Sequence, residues 1–416
     1  MRGAVSIKTQ PLPTAVRVLP LLGPAFVAGV AYLDPGNVAS NMTAGAAYGY
    51  LLVWVVVAGN AMAWLIQYLS AKLGIVTGAS LPENLGRRIT RKSSRYAFWV
   101  QAELVAMATD VAEILGGAIA LNLLFGLPLL LGGLITGVIS LLLLVVQSRR
   151  GPRVFETVIV GLVLVIVVGF CAGIVVGPPD PADAIAGLVP RFEDSGSVLL
   201  AASILGATVM PHAIYAHSAL SRDRFVGLEP VASRRVLLRA TRVDVTIALA
   251  IAGGVNVVIL LVAAASLQGV PGTDTLEGAY AAISAGLGPL VATLFALGLL
   301  ASGLASSSVG AYAGSEIMRG LLHIRIPLLL RRAVTLIPAL IVLAIGVEPT
   351  LALLLSQVVL SFGIPFALIP LVWLTARRSV IGDSVNRWWT TALACIAAAL
   401  LISLNLTLLW LIATGG

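Results

Sequence analysis

Asp34 and Asn37 stand three residues apart with Pro35 and Gly36 between them, inside a segment that is otherwise apolar from about Leu19 to Ala47. A carboxylate near the middle of a bilayer costs about 2.5–3.5 kcal/mol on insertion scales, so it faces a cavity, an ion or a partner. Pro35 has no amide hydrogen and its ring crowds the preceding turn, while Gly36 tolerates backbone angles that other residues resist. The helix is expected to break here. Carbonyls freed by a break at membrane depth are tolerated only where they line a cavity or are coordinated. A plain proline kink is the alternative reading; an acid and an amide flanking the kink favour a cation site.

A second break is expected at Met210-Pro211-His212, after Leu205-Gly206-Ala207-Thr208-Val209. If the two breaks meet, they offer the Asp34 carboxylate, the Asn37 amide oxygen, the carbonyls of Ala31 and Ala207, and the Met210 thioether. Oxygen ligands alone suit magnesium or calcium, whereas a soft thioether favours transition metals. One carboxylate against a dication also leaves the ion held weakly enough to be released. Methionine in a membrane helix is more often packing, and it is the place of Met210 beside the second break that promotes it. His212 and His217 are five apart, which is not the spacing of a helical zinc pair, and no HExxH occurs. A histidine near the breaks fits proton movement; for His217 a structural hydrogen bond fits equally well.

Glu103, Asp110 and Glu113 follow at separations of seven and three, which places them on one helical face. The first and last lie about 15 Å apart along the axis. Facing lipid, three acids would together cost on the order of 8–10 kcal/mol, so this face must look into protein or water. Two readings overlap: a proton path, or buried carboxyls paired with Arg331 or Arg332. Asn60, Gln357 and Ser306-Ser307-Ser308 are further polar groups in apolar segments. Gln357 could add an oxygen ligand in one state of a cycle, although interhelical hydrogen bonding is the ordinary role of such residues.

The elements that must position these groups are membrane helices. Hydrophobic residues make up 59% of the 416, and only 11% are charged, with mean hydropathy +1.03; no soluble domain fits beside the spans. Eleven apolar spans are expected at roughly 19–47, 51–76, 95–122, 128–147, 154–177, 197–221, 240–268, 284–318, 327–346, 350–375 and 388–412. Threaded with the N-terminus inside, the chain places Arg87, Arg88, Arg91, Lys92 and Arg95 on the same side as Arg222, Arg224, Arg234, Arg235, Arg239, Arg242 and Arg319. Arg325, Arg377, Arg378 and Arg387 join them. Of the 26 basic residues only Arg191 falls opposite, a positive-inside pattern that one missed helix would have scrambled. The net charge of +8 therefore follows the inner loops and does not point to nucleic acid. Cys171 and Cys395 lack metal or disulfide spacing and read as packing residues.

Spans 1 and 6 are both proline-broken, and five spans per unit is odd, so the second unit enters from the opposite side. The expected fold is an all-α integral membrane protein with an inverted five-helix repeat, spans 1–5 and 6–10, and an extra eleventh helix. Residues 1–18 are expected to form a cytoplasmic tail and 19–412 one transmembrane domain, with repeats at 19–177 and 197–375 and the added helix at 388–412. The first residues lack a removable signal peptide's apolar core. An odd span count leaves Gly416 outside.

Asp34-Pro35-Gly36-Asn37, Ala207-Thr208-Val209-Met210-Pro211-His212, Ala108-Thr109-Asp110-Val111-Ala112-Glu113 and Ser356-Gln357-Val358-Val359-Leu360-Ser361 resemble the Nramp family of proton-coupled divalent transition-metal transporters. The likeness runs in order from span 1 through span 10. It implies the LeuT-like fold of the amino acid/polyamine/organocation superfamily and proton symport of Mn2+ or Fe2+, with Cd2+ and Co2+ also accepted, across the cell membrane. By that resemblance Asp34, Asn37, Met210, Ala31, Ala207 and, in some states, Gln357 bind metal. Asp34, Glu103, Asp110, Glu113 and His212 move or tune the proton, and Arg331 and Arg332 lie on its inward route. Metals and protons are then substrates, with no cofactor, no catalysis and no obligatory protein partner expected. The rivals are the same fold carrying an amino acid or organic cation, a passive channel, and an intramembrane enzyme, for which no nucleophile and base pair is found.

Overall fold

The structure is a computed structural model, and it describes residues 21–150, 152–225, 234–324 and 326–414. The tail expected at 1–18, the start of span 1, Arg325 and Gly416 lie outside the described residues. Among the described residues every regular element is a helix. Eight helices are each long and apolar enough to cross a bilayer. The other three spans fall short for identifiable reasons. Span 1 is divided, with the apolar stretch Pro24–Leu33 before its break; span 4 has its apolar stretch limited to Leu129–Val145; span 9, Leu328–Ala344, has 17 residues and carries Arg331 and Arg332.

Span 1 comprises Pro24–Gly29, a 3-10 turn at Val30–Leu33, and Pro35–Tyr48. At the break Asp34 is extended (φ −70°, ψ 162°), and its carboxylate caps the second half by accepting from the Asn37 amide at 2.8 Å. Pro35 occupies the first helical position, where a missing amide hydrogen costs nothing. Span 6 comprises Ser195–Thr208 and Pro211–Phe225, parted at Val209 (φ −112°, ψ 61°). We call the halves 1a and 1b, and 6a and 6b. Half 1b packs on 6a and 1a packs on 6b. First half meets second half both times, so the two broken spans run antiparallel, as an inverted repeat requires.

Around this pair, span 10 (Pro349–Thr375) packs on 1b, 6a and span 3 (Lys92–Phe125). Span 3 also meets span 8 (Pro289–Leu322) and span 9. Span 7 (Arg234–Ser266) lies along 1b and span 2 (Val53–Thr77). Span 8, expected over 284–318, starts later: a short helix, Leu276–Gly286, precedes it, and the chain turns at Gly288 (φ 97°) before Pro289. A connector helix, Leu81–Arg88, was not expected. Its signal was present, because Ser80 and Glu83 form a capping box at the spacing that motif requires. Cys171 is half-buried and Cys395 exposed on the outer face of its span, both free.

Candidate metal site

Both breaks deliver their polar groups to one buried place. Asp34, Asn37, Ala31, Ala207, Met210 and Gln357 are each 0% exposed, so the site is closed from both aqueous sides. The Asn37 side chain bridges the broken helices: its amide nitrogen donates to the Tyr32 carbonyl at 2.7 Å in span 1 and to the Ala207 carbonyl at 3.2 Å in span 6. Its oxygen accepts from Asn41 at 3.0 Å. Gln357 reaches in from span 10 and donates to the second Asp34 oxygen at 3.3 Å, leaving its own amide oxygen without a partner.

Close helix approach makes this convergence possible. A Cβ on Gly36 would stand 1.8 Å from the Gln357 amide nitrogen, and one on Gly206 would stand 2.0 Å from the Gln357 carbonyl oxygen. Gln357 is thereby seated between the two breaks. Pro35 is seated against Gly116 of span 3, where a Cβ would fall 2.1 Å from the proline ring.

The carbonyls freed by the span 1 break are not all left uncommitted. That of Tyr32 accepts from Asn37 and from Asn256 at 2.9 Å, and that of Leu33 accepts from the Ser302 hydroxyl. Ala31 retains a long 3.3 Å bond from the Asp34 amide. It is thus the less committed of these carbonyls.

Beside the breaks, the acids of span 3 meet the arginines of span 9. Arg332 is wholly buried and ion-paired to Asp110, with Glu113 at 3.5 Å and the Ser140 hydroxyl at 3.2 Å. Arg331 pairs with Glu103 at 2.6 Å. His212 is hydrogen-bonded through Nδ1 to the Thr109 hydroxyl at 3.2 Å, and its Nε2 is buried without a partner. Thr109 precedes Asp110, so the histidine after the second break, on 6b, packs against the span that carries the acid row.

His217 does not join that row. Its Nδ1 meets the Gln67 amide oxygen at 2.7 Å, and the Gln67 nitrogen bonds the Tyr32 hydroxyl. This chain ties 6b through span 2 to the turn before Asp34, and Tyr32, Gln67 and Asn256 are the groups the sequence reading missed. Polarity within an apolar run was the available signal for Gln67 and Asn256; nothing marked Tyr32. Asn60 bonds the Gly253 carbonyl at 3.3 Å, and Ser306, Ser307 and Ser308 bond carbonyls of their own helix, the ordinary roles. Among the described residues no three His, Cys, Asp or Glu side chains gather as a metal cluster. The donor set at the breaks is of another kind: one acid, two amides, backbone carbonyls and a thioether.

The chain matches the Nramp family, described as natural resistance-associated macrophage protein-like, over residues 25–411. It belongs to the Nramp family. Relatives include a divalent metal cation transporter of Mycobacterium tuberculosis, 59% identical over 395 residues that cover 95% of this chain and 92% of the relative. The divalent metal cation transporter of Bacillus subtilis is 47% identical, covering 94% and 92%. A crystal structure of the Eremococcus coleocola manganese transporter, in complex with an aromatic bis-isothiourea substituted compound, superposes with TM-score 0.85 at 31% identity, covering 96% of this chain and 88% of that one. Mhp1, a nucleobase-cation-symport-1 family transporter, superposes at TM-score 0.59 with 14% identity, over 93% of this chain and 91% of that one. At that identity the likeness concerns the fold alone, the LeuT-like arrangement of two inverted five-helix units. This Nramp chain is a multi-pass membrane transporter and not an enzyme.

Proposed function

We propose that the chain carries Mn2+ or Fe2+ into the cytoplasm by alternating access, with protons moving in the same direction, and that Cd2+ and Co2+ are also accepted. The observation that carries this reading is the burial of Asp34, Asn37, Ala207, Met210 and Gln357 at the junction of two broken helices. Asp34 supplies the one full charge and Met210 the soft ligand, while Ala31 and Ala207 supply carbonyls. Asn37 ligates through its oxygen once its amide turns over, since its nitrogen now faces Ala207. Gln357 offers its unpartnered oxygen in states where span 10 stays close.

Metal entry at Asp34 is coupled to the release of a proton from the site. In this reading His212, Asp110 and Glu113 receive it, with Arg332 offsetting the buried charges, and Glu103 with Arg331 continues the route inward. The arginine loops support a cytoplasmic N-terminus and an outward C-terminus in the cell membrane. Residues 19–177 and 197–375 are read as the repeat units, 388–412 as the added helix.

Uptake of Mn2+ into proteoliposomes, with internal pH recorded and Ca2+ and Mg2+ as competitors, tests both claims. Wild type is expected to take up Mn2+ with acidification and to ignore the hard ions, while Met210→Ala is inhibited by them. No Mn2+ flux in wild type, or unchanged discrimination in Met210→Ala, defeats the sulfur-ligand reading and favours an organic substrate. Metal entry indifferent to a proton gradient defeats the coupling.

A further inference from the structure

On the basic face, spans 2 and 7 and the segment entering span 11 enclose a groove of about 650 Å³, lying apart from the metal site. Its size is that of a small-ligand site. Lys72, Arg234, Arg235, Arg242 and Arg387 line it, against the single carboxylate of Asp383. This excess of positive charge excludes a metal ion as occupant and selects an anion.

The walls are held in place. Lys72 is 7% exposed, and its ammonium donates to the Asn386 oxygen at 2.8 Å. Asn386 is itself fixed to the end of span 10, through its backbone to the Thr375 carbonyl at 3.1 Å and its side chain to the Thr375 hydroxyl at 2.9 Å. Arg242 lies 5.1 Å from the centre of the Tyr68 ring and reaches its hydroxyl at 3.4 Å. Trp64, stacked on Tyr68, donates to Thr246 at 2.9 Å. The side chains of Arg235 and Arg387 are exposed and carry no ion pair or hydrogen bond among the described residues.

Two features favour a lipid over a soluble anion. Trp389, 45% exposed, lines the groove, and Trp388, its neighbour in the chain, is 82% exposed; such residues form the aromatic belt that meets headgroups. From the same helices, exposed apolar side chains continue away from the charges: Val243 and Ile247 on span 7, Leu393 and Ile396 on span 11. We infer that the groove binds the phosphate of an anionic phospholipid of the cytoplasmic leaflet, with acyl chains along these apolar edges. Basic pockets between helices on that side are suited to such headgroups.

Native mass spectrometry of the full chain, released from micelles holding equal phosphatidylglycerol and phosphatidylcholine, tests this. Wild type is expected to retain phosphatidylglycerol preferentially, and Arg235→Gln with Arg387→Gln to retain it roughly 10- to 30-fold less, the effect of two nearby cations. Asp383→Asn, which removes the only carboxylate, is expected to retain more, a gain that misfolding does not produce. Equal retention of both lipids by wild type overturns the inference, as does a preference that persists in the double arginine variant or no gain in Asp383→Asn. Adducts displaced by millimolar inorganic phosphate overturn the lipid source and assign the groove to a soluble anion.

Discussion

Arg332 shows what a single residue does here. Its guanidinium is wholly buried between Asp110 and Glu113, two acids one helical turn apart that would otherwise face each other unpaired. Removing one partner of a buried ionic cluster costs about 3–5 kcal/mol, because the remaining charges stay desolvated. Arg332→Ala should therefore lower the melting temperature in detergent markedly, and Asp110→Asn added to it should recover part of the loss. If Arg332→Ala melts like wild type, the cluster is not what holds spans 3 and 9 together. The acids themselves were legible from their spacing, since three carboxylates on one face of an apolar helix cannot look at lipid. Which arginine meets which acid was not: Arg331 and Arg332 are adjacent in sequence, and only the crossing of spans 3 and 9 assigns one to Glu103 and the other to Asp110.

Among the elements, the broken helices depend on absent side chains as much as on present ones. Gly36 leaves room for Gln357, and Gly116 leaves room for Pro35. Gly36→Ala would place a methyl against the Gln357 amide, an overpacking that costs typically about 1–3 kcal/mol. The expected result is a lowered melting temperature with Mn2+ uptake lost, and recovery of the melting temperature, without full uptake, when Gln357→Ala is added. A Gly36→Ala protein of unchanged stability and uptake would show that span 10 does not need this approach. The breaks were readable because proline and glycine act on the local backbone. Their partner on span 10 was not readable as such, because contact between residues 36 and 357 is a property of packing.

Across the whole molecule, the side that carries the connector helix is held by a charge network that joins distant parts of the chain. Glu83 of the connector helix meets Arg222 of 6b at 2.6 Å, and Arg222 meets Glu316 of span 8 at 3.1 Å. Arg319 adds a 2.7 Å contact to Glu316. Asp244 of span 7 accepts from the Gly23 and Ala25 amides and so fastens the start of 1a. Burial acts to raise the Glu83 carboxyl, but the Ser80 amide, then Arg222 and Arg319, outweigh it and hold the group below its ordinary 4.5. A depressed acid contributes stability that is fully present above its unfolded value and is lost as pH falls through the folded one. The stability gap between wild type and Glu83→Gln should thus be constant near neutrality and close below about pH 4.5. Melting temperatures recorded from pH 7 to pH 3.5 check this; a gap that widens on acidification would reverse the sign.

The sequence by itself determined that this chain is a multi-pass membrane protein built of apolar helices, that spans 1 and 6 break, and that acid, amide and thioether stand at the breaks. Each follows from local chemistry: apolar length, backbone restriction by proline, and the cost of a polar group in hydrocarbon. Only the tertiary structure decided that Asn37 bridges to Ala207, that Gln357 lies against Asp34, and that His212 meets Thr109 of span 3 while His217 turns to Gln67 and Tyr32. The two histidines have the same chemistry and stand five residues apart on one half-helix. They differ in which neighbouring span each face meets, and helix packing fixes that across 100 or more residues of chain.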